Sequence, residues 1–97
     1  PGRFDRLIEV PKPDWDGRKR ILDIHTTEIN LADDVDLAEL AGETADFSGA
    51  ELASLSTEAG MFAIRDDRTE VRMADFEDAL AKVRDEDETA GQPIAFA

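Results

Sequence analysis

Ser48 is followed three residues later by Glu51, and apolar residues then recur at helical spacing: Leu52, Leu55, Ala59, Phe62 and Ala63. A hydroxyl that accepts from the third helical amide and a carboxylate that reaches back form a capping box, and Phe47 stands where it can staple onto Leu52. The pattern predicts one amphipathic helix from Ser48 to Arg65. Such a helix is stable only if other elements cover its apolar face.

The rest of the chain supplies those elements. Asp14 can cap a helix whose apolar stripe is Trp15, Ile21, Leu22, Ile24 and Ile29, with Gly17 a weak point early in it. Asp36, with Glu39 as box partner, starts another that runs through Leu37, Leu40 and Ala41 to Gly42. Beyond Asp66-Asp67 and a short extended piece around Val71, a fourth helix is marked by Phe76, Ala79, Leu80 and Val83. In front, Leu7-Ile8-Glu9-Val10 reads as a strand closed by Pro11 and Pro13, too short to stand without sheet partners. The run Asp85-Glu86-Asp87-Glu88, then Gly91 and Pro93, predicts a flexible tail. The expected fold class is all-α, a four-helix body over 14–84. A strand fragment (1–13) precedes it and a tail (85–97) follows.

Composition limits what such a body can do. With 97 residues the chain makes one small domain, and 41% hydrophobic residues argue against a disordered acidic segment. The net charge of −13 counts against nucleic acid and membrane surfaces as partners. There is no cysteine, and zinc would have to be held by carboxylates and the lone His25, so no metal site is expected. No apolar run reaches the length of a membrane span, and no signal peptide opens the chain, which points to a cytoplasmic domain. The charge is also uneven: residues 1–25 hold six bases and five acids, whereas residues 26–97 hold five bases and nineteen acids. An anion, if one is handled, is expected at the N-terminal end.

Catalytic patterns are missing. Gly17-Arg18-Lys19 lacks the upstream glycine and the following Ser/Thr of a phosphate loop, no G-x-G-x-x-G occurs, and one imidazole cannot furnish a nucleophilic triad with its base. By itself the segment reads as a non-enzyme.

Several stretches, in order, nevertheless resemble AAA-type ATPases. Pro1-Gly2-Arg3-Phe4-Asp5-Arg6 before an apolar strand is similar to the end of that family's second region of homology. Ile24-His25-Thr26 is similar to its base-contacting helix, and Phe47-Ser48-Gly49-Ala50-Glu51-Leu52 to the start of its third lid helix. Thr57-Glu58-Ala59-Gly60-Met61, Ala63-Ile64-Arg65 and Met73-Ala74-Asp75-Phe76 resemble the archaeal proteasome-activating nucleotidases in particular.

The resemblance implies a C-terminal lid subdomain of a larger hexameric unfoldase. Arg3 and Arg6 would be arginine fingers acting on a neighbouring subunit's nucleotide, and Ile21, His25, Gly49 and Ala50 would contact ATP or ADP. Mg²⁺ would be held by other parts of the parent chain. Ala50 stands where many relatives in the wider superfamily carry a phosphate-sensing arginine, so this lid is expected to read base and sugar. Ala95-Phe96-Ala97 departs from the hydrophobic-Tyr-any ending of proteasomal ATPases by one hydroxyl, and would dock on the 20S core. Expected partners are the other subunits of a homo- or hetero-hexamer, the 20S proteasome and protein substrates; the isolated piece is expected to be a monomer. The lid of a Cdc48-like segregase and a free-standing acidic helical adaptor are the alternatives.

The texture of the acidity has its own consequence. Of the 24 acids 14 are Asp, and only Lys12, Lys19 and Lys82 are lysines. Such a surface is expected of a protein built for high salt, whose self-repulsion concentrated salt screens, with an ordinary acidic domain as the alternative. The family resemblance implies an archaeal, haloarchaeal origin. Removing salt is expected to lower the thermal midpoint sharply; a midpoint indifferent to salt contradicts that reading.

Overall fold

The computed structural model describes residues 11–91. Four helices follow one another: α1 (Trp15–His25), α2 (Leu37–Glu43), α3 (Gly49–Arg65) and α4 (Met73–Gly91). The all-α expectation holds. α3 is central, packing on α4 and on α1, while α1 also packs on α2. Leu22, Leu40, Phe47, Leu52, Leu55, Ala59, Phe76 and Ala79 are buried together in one core. Each large apolar side chain there contributes about 1.5–3 kcal/mol relative to leaving it in water. The strand expected at Leu7–Val10 lies outside the described residues.

Helix starts follow the expected chemistry. Asp14 accepts from the Gly17 amide at 2.8 Å and Asp36 from the Glu39 amide at 3.1 Å. At α3 the box closes in both directions: the Glu51 amide donates to Ser48 Oγ (3.1 Å) and the Ser48 amide to Glu51 Oε1 (2.7 Å). In α2 only the Asp36 half forms. That helix also runs past Gly42 to Glu43, because the buried Thr44 hydroxyl donates to the Leu40 carbonyl at 2.9 Å and closes the end without a left-handed glycine. Gly17 is less a weak point than a close approach: a Cβ there would stand 3.1 Å from Pro13 Cβ and 3.2 Å from Asp14 Oδ1.

The stripe expected on α1 is narrower in the structure. The helix ends at His25, where the Thr26 hydroxyl donates back to the Leu22 carbonyl at 2.8 Å, so Ile29 packs from the following loop. Trp15 is 43% and Ile24 60% exposed. Two residues past Leu22, Ile24 is turned about 200° around the axis, away from the core. α4 in turn continues to Gly91, through the acidic run where the sequence predicts a flexible tail. Lys82 offsets that run's repulsion, pairing with Glu58 at 2.8 Å and lying 3.9 Å from Glu86, and glutamates are favourable helix residues.

Between α3 and α4 the chain makes a dense turn. α3 closes with the Arg68 amide on the Ala63 carbonyl and the Asp67 amide on that of Ile64, both at 2.9 Å. Asp67 takes the left-handed conformation (φ 58°) that this ending requires. Arg68 then grips Asp75 with both forks, Nη1 to Oδ2 at 2.7 Å and Nη2 to Oδ1 at 2.8 Å, and reaches Asp66 Oδ2 at 2.9 Å. Asp75 also accepts from the Arg72 amide at 2.8 Å, capping α4 from inside its first turn. The extended piece around Val71 forms a parallel bridge with Leu31, through Val71 amide to Asn30 carbonyl (2.9 Å) and Ala32 amide to Val71 carbonyl (2.8 Å).

The Arg68 guanidinium, and next the Arg72 amide, hold the Asp75 carboxyl below the ordinary carboxylate range against the opposing effect of burial. A depressed folded pKa stabilises fully above the unfolded value near 3.8 and is lost as pH falls through the lower folded value. Asp75→Asn is expected to lower the midpoint at neutral pH by about 5–10 °C. The gap between wild type and variant should narrow only below about pH 4. A gap that stays constant on acidification contradicts this role for the pair.

Candidate functional site

α1 and α3 meet where two of the residues expected to contact nucleotide, Ile21 and Gly49, approach each other. Ile21 and Gly49 are both half-buried, and a Cβ built on Gly49 would lie 3.7 Å from Ile21 Cδ1. His25 is exposed in the last turn of α1, four residues after Ile21 and on the same side of the helix. Ala50 is exposed in the first turn of α3. The Ser48–Glu51 box occupies the amides of Ser48 and Glu51, whereas those of Gly49 and Ala50 have no partner within a helix. Ile21 and Gly49 are thus brought together, with His25 and Ala50 on the solvent side of each helix. The surface is open. It offers an apolar side chain, an imidazole and a helix start without bulk.

Among the described bases of the N-terminal stretch, Lys12, Arg18 and Lys19 are engaged in local contacts. Arg18 is 8% exposed, its Nε donating to the Ala41 carbonyl at 2.7 Å and its Nη1 to that of Pro13 at 3.0 Å. Lys19 pairs with Asp23 at 3.0 Å, and Lys12 donates to the Asp46 carbonyl at 2.8 Å. The charge distribution predicts an anion at this end of the chain, but all three hold the local structure. The overlooked residue is Arg18, which ties α1 to the end of α2. A signal existed: three residues before Ile21 and four before Leu22, it shares their helix face.

Two shallow grooves lie elsewhere. One, of about 360 Å³, is lined by Phe62, Arg65, Asp66, Arg68, Asp75 and Asp78, with the Arg65 guanidinium 5.3 Å from the Phe62 ring centre. Its arginine fork is already engaged with Asp75, and three carboxylates make it a poor receptor for phosphate. The other, of about 200 Å³, lies between Glu51 and Ser54 on α3 and Val83 and Glu86 on α4. Among the described residues no group of three or more His, Asp or Glu could hold a metal ion, and no helix is long and apolar enough to cross a membrane. Arg3, Arg6, Ala95, Phe96 and Ala97, expected to act in catalysis and docking, lie outside the described residues.

Comparison with known proteins bears on this face. Residues 34–78 match the model of the AAA+ lid domain family. The chain is 64% identical over 95 residues to proteasome-activating nucleotidase 2 of Haloferax volcanii, covering 98% of itself and 23% of that protein. It is 65% identical over 89 residues to proteasome-activating nucleotidase 2 of Halobacterium salinarum, covering 92% and 22%. With the proteasome-activating nucleotidase of Thermococcus gammatolerans identity is 54% over 96 residues, covering 99% and 24%. The chain spans less than a quarter of the length of these curated relatives.

The seat of Ile21 can be tested without any ligand. Arg18→Met keeps the aliphatic stem and removes both carbonyl bonds. It is expected to lower the thermal midpoint by about 5–10 °C; a midpoint within a degree of wild type would mean that Arg18 does not hold α1 against α2.

Proposed function

We propose that this chain, whose residues 34–78 match the AAA+ lid domain family, is the nucleotide-reading lid of a hexameric ATP-driven unfoldase that feeds proteasomes. The observation that carries the reading is the meeting of Ile21 on α1 with Gly49 in the first turn of α3. An adenine laid across that junction packs on Ile21, approaches the α3 backbone where Gly49 has no side chain, and has its ribose edge within the province of His25. Ala50 leaves the neighbouring backbone accessible and brings no charge. The lid therefore senses base and sugar, and reports nucleotide state by turning as a rigid body.

The phosphate chemistry falls to other parts. Arg3 and Arg6 would reach a neighbouring subunit's γ-phosphate, where planar guanidinium forks stabilise the charge that spreads over its oxygens during transfer. No residue set described for this chain suits Mg²⁺, so the ion would be held by the parent chain's phosphate-binding subdomain. Ala95-Phe96-Ala97 would dock on the 20S core through the Phe96 ring and, where it ends the chain, a terminal carboxylate. The likeness to proteins named proteasome-activating nucleotidases supports this part of the reading.

Gly49→Ala separates function from folding. The methyl falls at ordinary contact distance from Ile21, so stability should change by less than about 0.5 kcal/mol. In an ATPase of the relatives' full length with this chain as its lid, the same change is expected to weaken ATP binding several-fold. Unchanged ATP affinity would remove Gly49 from the nucleotide face.

A further inference from the structure

The connection from α2 to α3 carries the first turn of α3, and two cations from distant parts of the chain close on it. Lys12 holds the Asp46 carbonyl. Arg84, on α4, does more. Its Nη2 donates to the Glu43 carbonyl at 2.6 Å, the same nitrogen lies 3.6 Å from Asp46 Oδ1, and the guanidinium covers the Phe47 ring at 5.4 Å from its centre. Phe47 is 2% exposed and immediately precedes the Ser48 cap, so its ring sets the angle at which the chain enters α3.

An exposed ion pair alone contributes little. Here one planar group meets the last carbonyl of α2, a carboxylate of the connection and the aromatic anchor of α3, and those three contacts fix its orientation. The neighbouring part of α4 is also fastened to α3. Lys82 reaches Glu58, and Val83 and Glu86 face Glu51 and Ser54 across the smaller groove. The far half of α4 therefore runs beside the turn that holds Gly49 and Ala50.

We propose that Arg84 is a positioning residue that couples α4 to the first turn of α3, so that a displacement of α4 is passed to Gly49 and Ala50. The proposal rests on the lid reading of those two residues. Arg84 touches no substrate; it acts through the Glu43 carbonyl, Asp46 and Phe47.

Two variants test it. Arg84→Met keeps an aliphatic cover on Phe47 and removes the donors and the charge, while Arg84→Lys keeps a charge and a donor without the planar fork. By hydrogen exchange on this 97-residue chain, Arg84→Met is expected to speed exchange at the amides of Phe47, Ser48, Glu51 and Leu52 by about tenfold. The centre of α3 and the Arg68 turn should be unchanged, and Arg84→Lys should fall between. In the full-length ATPase, Arg84→Met is expected to raise KM for ATP several-fold with little change in kcat. Exchange that does not change at those four amides, or that rises uniformly along the chain, overturns the proposal. A local rise with an unmoved KM keeps Arg84 as the strut and overturns the nucleotide reading of Gly49 and Ala50, so the two failures are distinguishable.

Discussion

The two-pronged pair between Arg68 and Asp75 fixes the turn on which the rest of the domain hangs. It does not merely join α3 to α4. Holding residues 66–75 in one shape presents Val71 to Leu31, the Thr69 carbonyl to Asn30 Nδ2 at 3.4 Å, and the Met73 amide to Asp34 Oδ1 at 3.2 Å. The long connection from α1 to α2 is thereby pinned to the far end of α3, and α1 is set at its angle across α3. With Asp75 5% exposed at its side chain, loss of Arg68 would strand the Asp75 carboxylate without its main partner.

At the opposite end of α3 the constraints are of another kind. The capping box, the buried Phe47 ring and the Arg84 guanidinium converge within a few residues, and Arg18 holds α1 against α2. Neither end of α3 is left to fray. On the proposed reading a lid that turns as one body needs this, since a nucleotide held at the α1–α3 junction would move the helices together only if their ends are locked to each other.

Local instructions in the sequence proved legible where one residue answers another three or four places away. Ser48 with Glu51, Asp14 as a helix cap and the apolar spacing of α3 all place their elements correctly. Long-range use of charge was not legible. Arg68 and Asp75 are seven residues apart across a turn, Arg84 and Glu43 forty-one apart, and nothing in spacing distinguishes them from solvated charges in so acidic a chain. The end of α4 differs from the expected tail because a run of acids carries no helix signal of its own, and Lys82 sits between Glu58 and Glu86. Of the candidate site, the Ile21–Gly49 junction came from likeness to a family, since composition and periodicity make Ile21 an ordinary core residue.

On the proposed reading adenine lies on the α1–α3 junction, and photolabelling reads this most directly. A full-length hexameric ATPase with this chain as its lid would be irradiated with 8-azido-ATP, digested and mapped. Label within the peptide spanning Ile21 to His25, or in the first turn of α3 at Gly49 and Ala50, and competed away by ATP, is the predicted result. ATP-competed label confined to the Phe62–Asp78 groove, or absent from the lid altogether, would contradict it.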